Sequence, residues 1–250
     1  MVAVEALHVE LAGAPILRGV TMQVAEGETC AVVGESGCGK SVLMKTIMGL
    51  IPATSGRILI SDLDTTEFTE REYNERVRPL MAIVFQRGAL WDSMTVRENI
   101  DLVLRIRYAL DPPERSRRAM ESLELVDLAD AADKYPRELS GGMNKRAAMA
   151  RAIATQPRYI IYDEPTTGLD PVLAGRTNRL IKNLNEDLGV TALVVTHDVR
   201  HVPEFADRVV MISGGTVAAE VPAGELWNTD EPTLARFIRG EDVREETGTR

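Results

Sequence analysis

Short apolar runs alternate with stretches of helical periodicity along most of this 250-residue chain. Runs rich in Val, Ile and Leu, or alternating between apolar and polar residues, predict β-strands, and the stretches between them predict helices. This alternation is typical of a mainly parallel sheet covered by helices. The predicted strands are Val4–Leu11, Val20–Val24, Thr29–Val33, Arg57–Ile60, Met81–Phe85, Arg158–Tyr162, Thr191–Val195, Arg208–Ile212 and Thr216–Glu220, the last two joined as a hairpin across Ser213-Gly214-Gly215.

The strand signal disappears between Arg87 and Pro157, where helical periods replace it. Pro112-Pro113 is placed to open one helix, and Pro136 precedes another. We therefore predict one α/β domain whose core, residues 1–86 and 158–239, is interrupted by a helical subdomain at 87–157. The polar tail at 240–250 is expected to be mobile.

Charge narrows the possible functions. The formal net charge of −9 argues against a nucleic-acid groove, because phosphate backbones are bound by clustered Lys and Arg. The helical run from Arg105 to Arg118 is locally basic but also contains Glu114. We interpret it as a solvated helix face rather than as a binding patch.

Cysteine use and hydropathy bear on location. Cys30 and Cys38 lack the spacing of a zinc site or disulfide framework, which fits a reducing compartment. Met1–Leu11 has the alternation of a strand and not the layout of a signal peptide. The longest apolar runs, Tyr159–Tyr162 and Thr191–Thr196, fall far short of the roughly 20 residues that span a bilayer. Any membrane function would therefore depend on the spans of a partner.

A glycine-rich octet follows the strand that ends at Val33 and opens a helical pattern running to Leu50. It reads Gly34-Glu35-Ser36-Gly37-Cys38-Gly39-Lys40-Ser41 and matches GxxxxGK[ST] in its required strand-loop-helix context. Its glycines allow backbone N–H groups to point at phosphate oxygens, and the helix N-terminus adds a favourable dipole. Lys40 can reach the outer phosphates and Ser41 can ligate Mg²⁺, so the octet predicts a phosphate-binding loop.

Two acids end the apolar strand that precedes Pro165. Asp163 is expected at the sheet edge, where it can hold the Mg²⁺ shell. Glu164, one residue nearer solvent, could orient or deprotonate a water that attacks the γ-phosphate. Without the phosphate loop, a carboxylate that caps the next helix would be the better interpretation.

The segment Leu139-Ser140-Gly141-Gly142-Met143 precedes a strongly periodic helix. Ser140 is placed as its N-cap, so that a hydroxyl and backbone amides are presented at a positive helix end. Taken alone, the segment is a well-capped helix. The order of the phosphate loop, LSGG, Asp163-Glu164-Pro-Thr-Thr-Gly-Leu-Asp170-Pro and Val-Thr-His197-Asp198, however, resembles an ABC transporter ATPase over about residues 4–225.

This resemblance implies a P-loop NTPase fold with an N-terminal antiparallel β part, and it implies ATP and Mg²⁺ as cofactors. It also implies catalytic roles for Glu164, His197 and Gln86. The implied ATP-binding residues are Gly34, Glu35, Ser36, Gly37, Cys38, Gly39, Lys40, Ser41 and Val42. The implied Mg²⁺ ligands are Ser41, Gln86 and Asp163.

A composite site is also implied by the resemblance. Ser140, Gly141 and Gly142 would meet the γ-phosphate of ATP bound to a second copy of the chain, with Asp170 on a loop that crosses the dimer interface. The sequence departs from the family pattern in two places: Leu11 falls near the position of an aromatic residue that often stacks on adenine, and Met143 replaces a common glutamine. Adenine binding is left unassigned.

The stretch Phe85 to Asn99, with LSGGM and Lys145-Arg146, is similar to the ATPases of Mla/MCE-type lipid transport systems. That similarity implies two kinds of partner, a multispan permease and an MCE-domain lipid-binding protein, and no nucleic acid. It also implies a position on the cytoplasmic face of the inner membrane. Leu90, Trp91 and Met94 could form an apolar socket for a partner's helix. Alternatively, Trp91 packs inside the helical subdomain.

Two other functions stay open. One is the ATPase of an importer or exporter for a small polar solute, and the other is a non-transport ABC protein of iron–sulfur assembly. DNA-repair and translation proteins of this kind need a long coiled coil or two cassettes, and the chain has neither. The transported molecule would contact the permease and not this chain. The sequence therefore carries no signal for the identity of that molecule or for the direction of transport.

Overall fold

Two β-sheets form the centre of the molecule. The computed structural model describes residues 1–241, so most of the tail predicted at 240–250 lies outside the described residues. The strands are β1 Val2–Leu11, β2 Ala14–Val24, β3 Thr29–Val33, β4 Ser55–Ile60, β5 Leu63–Asp64, β6 Met81–Val84, β7 Tyr159–Asp163, β8 Thr191–Val195, β9 Arg208–Ser213 and β10 Thr216–Pro222. The helices are α1 Lys40–Ile47, α2 Glu70–Glu72, α3 Val96–Arg107, α4 Pro112–Glu124, α5 Gly141–Ile153, α6 Pro171–Leu188 and α7 Pro232–Arg239.

The larger sheet has the strand order β10-β9-β3-β8-β7-β6. Its five strands from β9 to β6 are parallel, and β10 pairs antiparallel to β9 across Gly214-Gly215, as the hairpin prediction required. The smaller sheet, β2-β1-β4-β5, is antiparallel. The predicted fold class, a mainly parallel sheet with an N-terminal antiparallel part, is confirmed.

Thr29–Val33 and Thr191–Val195 have the predicted bounds, the other predicted strands differ at one or both ends, and one strand was missed. The second strand begins at Ala14 rather than Val20, because its first half pairs with β1 although many of its side chains are exposed. The seventh strand ends at Asp163, which pairs with Val195, so the Mg²⁺-binding candidate is the last strand residue rather than the first loop residue. The missed strand, Leu63–Asp64, is too short to carry a period.

Alternate side chains of the parallel strands enter two separate hydrophobic clusters. Ala31 and Val33 of β3 contribute to the cluster under α3, α4, α5 and α6, whereas Cys30 and Val32 contribute to the cluster that α1 and the smaller sheet enclose. Strands buried on both faces lose the polar alternation of a half-exposed strand. This double burial explains why β3 is apolar throughout, apart from Thr29, and it holds the strand ends rigidly.

The stretch between β6 and β7 is helical, and no strand lies between Val84 and Tyr159. The basic run from Arg105 to Arg118 is broken between two helices: α3 ends at Arg107, and α4 begins at Pro112, as the Pro112-Pro113 pair predicted, with Asp111 as its N-cap. A cap and two prolines at this point favour a new helix over continuation. The division at residues 86 and 158 stays a prediction.

The basic residues of α4 are paired with acids. Arg117 and Arg118 both contact Glu114, and the Arg115 guanidinium lies 2.7 Å from a carboxylate oxygen of Asp101 on α3. Neighbours three or four residues apart on one helix face interact in this way at the surface. These contacts agree with the interpretation of a solvated, salt-bridged face.

Asn99 forms hydrogen bonds with the backbone of the loop between β6 and α3. This fully buried side chain accepts a hydrogen bond from the Trp91 amide at 2.7 Å and donates to the carbonyls of Trp91, Met94 and Thr95 at 2.9 to 3.2 Å. One amide group thereby satisfies four backbone groups of a loop that has no regular structure of its own. Buried backbone groups without a partner are costly, so the loop depends on Asn99.

A second buried side chain holds the start of the same loop. Arg151 of α5 donates to the carbonyls of Ala89 and Gly88 at 2.6 and 2.9 Å, and its guanidinium lies 5.3 Å from the centroid of the Trp91 ring. Burial lowers the pKa of Arg151 from its ordinary value. The loop that carries Trp91 is therefore fixed to α5 by hydrogen bonds and a cation–π contact.

Asn99→Ala should lower the free energy of unfolding by about 2 kcal/mol, since it removes the hydrogen bonds of the buried Asn99 side chain to partly buried backbone groups of the loop. Chemical denaturation of the purified chain measures this change. Asn183→Ala, at an exposed position of α6, is the control and should change stability by less than about 0.5 kcal/mol. Equal stability of the two variants would show that Asn99 does not hold the loop.

Candidate nucleotide-binding site

The phosphate-loop octet lies between β3 and α1, as its strand-loop-helix context predicted. Gly34 adopts φ +145°, and a Cβ atom there would lie 2.2 Å from the carbonyl oxygen of Ile212. Gly39 adopts φ +112° and is the N-cap of α1, which has no side-chain cap. Only glycine fits at both positions. The uncapped N–H groups of α1 can consequently serve an anion.

Lys40 lies across the inside of this loop. Its ammonium nitrogen is 2.7 Å from the carbonyl oxygen of Gly34 and 2.8 Å from that of Glu35, and the side chain is buried apart from a small exposed fraction. Its Nζ is also 3.8 Å from the Cys38 sulfur. Ser41 follows on the exposed side of the first turn. The loop thus holds a positive charge at the centre of its cradle.

Asp163 ends β7 next to β8 in the same sheet as the phosphate loop. Burial and the neighbouring charge of Glu164 raise the pKa of Asp163, while Lys45 and Lys40 oppose that shift. The described residues contain no cluster of three or more His, Cys, Asp or Glu side chains that could hold a metal by itself. A single carboxylate and the Ser41 hydroxyl instead fit Mg²⁺, which is usually held by one or two protein oxygens together with phosphates.

Glu164 has the most constrained conformation in the site. Its φ of +48° lies in the left-handed region, and its N–H donates to the carbonyl of Val195 at 2.8 Å. One carboxylate oxygen is 2.8 Å from His197 Nδ1, and the other accepts from the Thr167 hydroxyl at 3.0 Å. The carbonyl of Glu164 faces the ammonium of Lys145 at 3.4 Å. The strand-end carboxylate is thus oriented through its contacts and does not cap the next helix, whose N-cap is Asp170.

His197 is the second residue after the end of β8, and its ring contacts Glu164. An ionised carboxylate can only accept, so the Nδ1–H of His197 is the donor. Gln86 lies exposed just beyond the end of β6, at the same edge of the sheet. The ends of β6, β7 and β8 therefore place Gln86, Glu164 and His197 along one edge of the larger sheet.

The LSGG segment forms the N-terminus of α5. Ser140 is the N-cap and accepts a hydrogen bond from the Met143 amide at 3.3 Å, and Gly141 and Gly142 form the first turn. Ser140 and Gly142 line a groove with Leu173 and other residues of α6. Ser140 and Gly141 are exposed, whereas Gly142 is buried.

Asp170 acts locally as the N-cap of α6. Its carboxylate accepts from the amides of Val172 and Leu173, both at 3.0 Å. The interface role implied by resemblance is compatible with this capping but stays a prediction. Leu11 is exposed at the end of β1, and its part in adenine binding is likewise a prediction.

Two contacts to Glu164 were missed from the sequence. Thr167 lies in the segment quoted for the resemblance but had been assigned no role, and Lys145 had been used only as a subfamily marker. The Thr167 contact spans three residues, so local spacing could have indicated it. The Lys145 contact joins residues nineteen positions apart and depends on how α5 packs.

Comparison with known proteins gives the class. Residues 17–167 match the family model described as ABC transporter. The dimeric post-hydrolysis structure of the ATP-binding cassette MJ0796 with ADP and Pi aligns with a TM-score of 0.80 and 33% identity, covering 89% of this chain and 99% of that one. The structure of cbiO1 from Clostridium perfringens, part of the cbiONQ transporter complex, aligns with a TM-score of 0.85 and 28% identity, covering 95% and 94%.

Curated relatives point to several transport systems. MlaF of the intermembrane phospholipid transport system of Haemophilus influenzae is 38% identical, covering 90% of this chain and 85% of its own length. The methionine import protein MetN of Carboxydothermus hydrogenoformans is 37% identical, covering 88% and 65%. The probable ribonucleotide transport protein mkl of Mycobacterium leprae is 35% identical, covering 97% and 70%. This chain thus spans less than two thirds of the length of some relatives.

The chain belongs to the ABC transporter family, as an ATP-binding cassette of that family. ATP-binding cassettes bind ATP with Mg²⁺ and hydrolyse it. The class, the P-loop fold and the cofactors predicted from the sequence are confirmed. The relatives differ in what they transport, so they confirm the class and not a lipid substrate.

Lys40→Ala should weaken nucleotide binding and hydrolysis together, because the ammonium lies in the loop that faces the phosphates in both ground and transition states. Loss of one charge-assisted contact, about 1.5–3 kcal/mol, corresponds to a roughly ten- to hundredfold weaker affinity. Titration with a fluorescent ATP analogue and a steady-state ATPase assay measure both effects. Lys182→Ala, on the exposed side of α6, should match the wild type, and unchanged affinity in Lys40→Ala would contradict the phosphate-loop assignment.

Proposed function

We propose that this chain is the ATP-hydrolysing subunit of an ABC transporter, which binds Mg-ATP at the phosphate loop and drives a separate membrane permease. The observation that carries this proposal is the Glu164 carboxylate, which is oriented by His197 and Thr167 at the strand edge that also carries the loop. No helix among residues 1–241 is long and apolar enough to cross a membrane. The permease would supply the spans, and the chain would work on the cytoplasmic face of the inner membrane.

The hydrolytic roles follow from the chemistry of each group. Glu164 acts as the general base that takes a proton from the attacking water. His197 donates its Nδ1–H to that carboxylate and keeps it oriented. When bound, Mg²⁺ would neutralise charge on the phosphates, with Asp163, Ser41 and Gln86 as the side chains that hold it. Asp163 can do so only when it is ionised.

Each complete site is proposed to need two copies of the chain. Ser140 and the first turn of α5 present a hydroxyl and a positive helix end toward the outside, so they can meet the γ-phosphate of ATP on another subunit. MJ0796, a structural relative, is dimeric in its ADP- and Pi-bound structure. Asp170 and the loop before it would lie at the interface of the pair.

Glu164→Gln should preserve ATP binding while hydrolysis falls by roughly a hundredfold or more, because the amide cannot accept the proton of the attacking water. ATP-bound dimers should accumulate, which size-exclusion chromatography with ATP and Mg²⁺ detects. Glu204→Gln is a matched control, since Glu204 contacts His201 at the same distance of 2.8 Å but lies outside the site. Undiminished turnover in Glu164→Gln would remove it from the catalytic role.

We further propose that the permease belongs to a lipid transport system of the Mla/MCE type, with an MCE-domain protein as a further partner. Similarity to MlaF, over 85% of the length of that protein, supports this assignment. The position of Trp91 supports the docking surface: the residue is 44% exposed, which argues against packing inside the helical subdomain. Leu90 and Met94 flank it as partly buried residues.

A small-solute importer is the second candidate. It is favoured by the comparable identity to the methionine importer MetN and to a sulfate/thiosulfate import protein of Methylococcus capsulatus. Both candidates use the same ATP site. They differ in the permease that the surface around Trp91 receives, so co-purification from detergent would separate them. A soluble scaffold in place of a permease would instead favour iron–sulfur assembly.

Trp91→Ala should leave folding and ATP binding intact while permease association is lost. An exposed ring held by one cation–π contact contributes about 1 kcal/mol or less to folding, whereas an interface anchor contributes roughly 2 to 4 kcal/mol to binding. Thermal unfolding, pull-down with the permease and lipid movement in reconstituted vesicles measure these effects.

Trp227→Ala provides the control for that experiment, since Trp227 is 50% exposed and lies far along the chain, just before α7. It should affect neither association nor transport. A large fall in the melting temperature of Trp91→Ala would mean that the ring serves the chain's own packing. Normal permease association would exclude it from the docking surface.

A further inference from the structure

Lys145 is buried on the helix that begins at Ser140. It lies five residues into α5, is 7% exposed, and directs its ammonium to the carbonyl oxygen of Glu164 at 3.4 Å. Burial lowers the pKa of Lys145, and the nearby Glu164 carboxylate opposes that shift. Burying an ammonium is costly unless it meets a partner. The partner here is the residue that the proposed function makes the general base.

The backbone of Glu164 requires support from outside its own segment. A non-glycine residue with positive φ costs roughly 1–2 kcal/mol, and such strain persists only where surrounding contacts hold it. The N–H is held by Val195 of β8, and the two carboxylate oxygens are held by His197 and Thr167. Lys145 is the contact that reaches Glu164 from α5, since it approaches the carbonyl oxygen.

We propose that Lys145 is a positioning residue for hydrolysis, which holds the Glu164 peptide in its strained conformation and connects it to the helix that carries Ser140. This inference rests on the proposed function, because it assigns Lys145 its effect through Glu164. One helix then serves two sites. Its first turn would meet the nucleotide of the other subunit, and its fifth residue, Lys145, supports the general base, Glu164, of its own subunit.

The positioning role differs measurably from a packing role. Replacing a buried charge with an apolar side chain of similar length is often neutral for stability, provided that no opposite charge is left buried without a partner. Glu164 retains His197 and Thr167 as partners in such a variant. Lys145→Met should therefore fold and bind ATP, and its defect should be confined to the chemical step.

The test compares Lys145→Met, Lys145→Arg and the control Lys134→Met in the full-length chain. Lys134 is exposed and lies in the connection between α4 and α5, outside the phosphate loop and the segment around Glu164. For Lys145→Met we expect kcat to fall about tenfold, with KM and the affinity for a fluorescent ATP analogue changed less than twofold. Lys145→Arg should recover most of kcat, because it restores a cation that can donate to the carbonyl, and Lys134→Met should equal the wild type.

A double variant shows whether Lys145 acts through Glu164. In single-turnover hydrolysis, Lys145→Met should slow the wild-type chain but should cause no further loss in the Glu164→Gln background. An additive loss there, an unchanged kcat in Lys145→Met, or a matching fall in melting temperature and ATP affinity would each overturn the inference. Full turnover in Glu164→Gln alone would instead overturn the proposed base, so the two failures are distinguishable.

Discussion

The parallel register of β3, β8 and β7 is the constraint on which the candidate site depends. Val32 pairs with Val195, and Val195 pairs with Asp163, so the carboxyl ends of the strands lie at one level. The final contacts of this ladder continue into the loops, since the Glu164 amide donates to Val195 and the Thr196 amide donates to Val32. Because both faces of these strands are buried, a shift of register would disrupt two hydrophobic clusters at once.

The carboxyl ends of these strands bring charged side chains of both signs together in the site. The Lys40 ammonium lies in the phosphate loop, and the carboxylates of Asp163 and Glu164 follow each other at the end of β7. Burial and mutual repulsion raise the pKa of Asp163, whereas the contacts of Glu164 to His197 and Thr167 orient its charge. Hydrogen bonds to charged groups contribute about 1.5–3 kcal/mol each, enough to offset the strain of a positive φ.

Much of the fold could be predicted from the sequence, and the reason is visible in β3 and β8. Both strands are short and buried on both faces, and their predicted bounds agree with the structure. The extension of β2 to Ala14 and the short β5 could not be predicted, because pairing with a neighbouring strand, rather than a pattern of their own, creates them. The start of α4 was predicted from its two prolines, whereas the basic charge pattern from Arg105 to Arg118 runs across the break between α3 and α4.

The site was predictable where a residue follows a strand and less so where helices bring distant residues together. Asp163 was located from the end of its strand, and His197 was assigned from the family pattern. The contact of Lys145 with Glu164 depends on the packing of α5 against the core, which no local period encodes. The exposure of Trp91 is likewise not encoded by a local period, since it results from a loop that the buried Asn99 and Arg151 hold in place.

We propose an ATP site shared by two chains and a docking surface near Trp91 that receives the permease. In the shared site, the phosphate loop of one chain and Ser140 of another bind the same nucleotide. The most direct measurement mixes Lys40→Ala with Ser140→Arg and assays ATP hydrolysis, with mixed dimers verified by native mass spectrometry. We expect the mixture to be more active than either variant alone, because each mixed dimer regains one intact site. A rate equal to the mean of the two variants, with mixed dimers present, would contradict it.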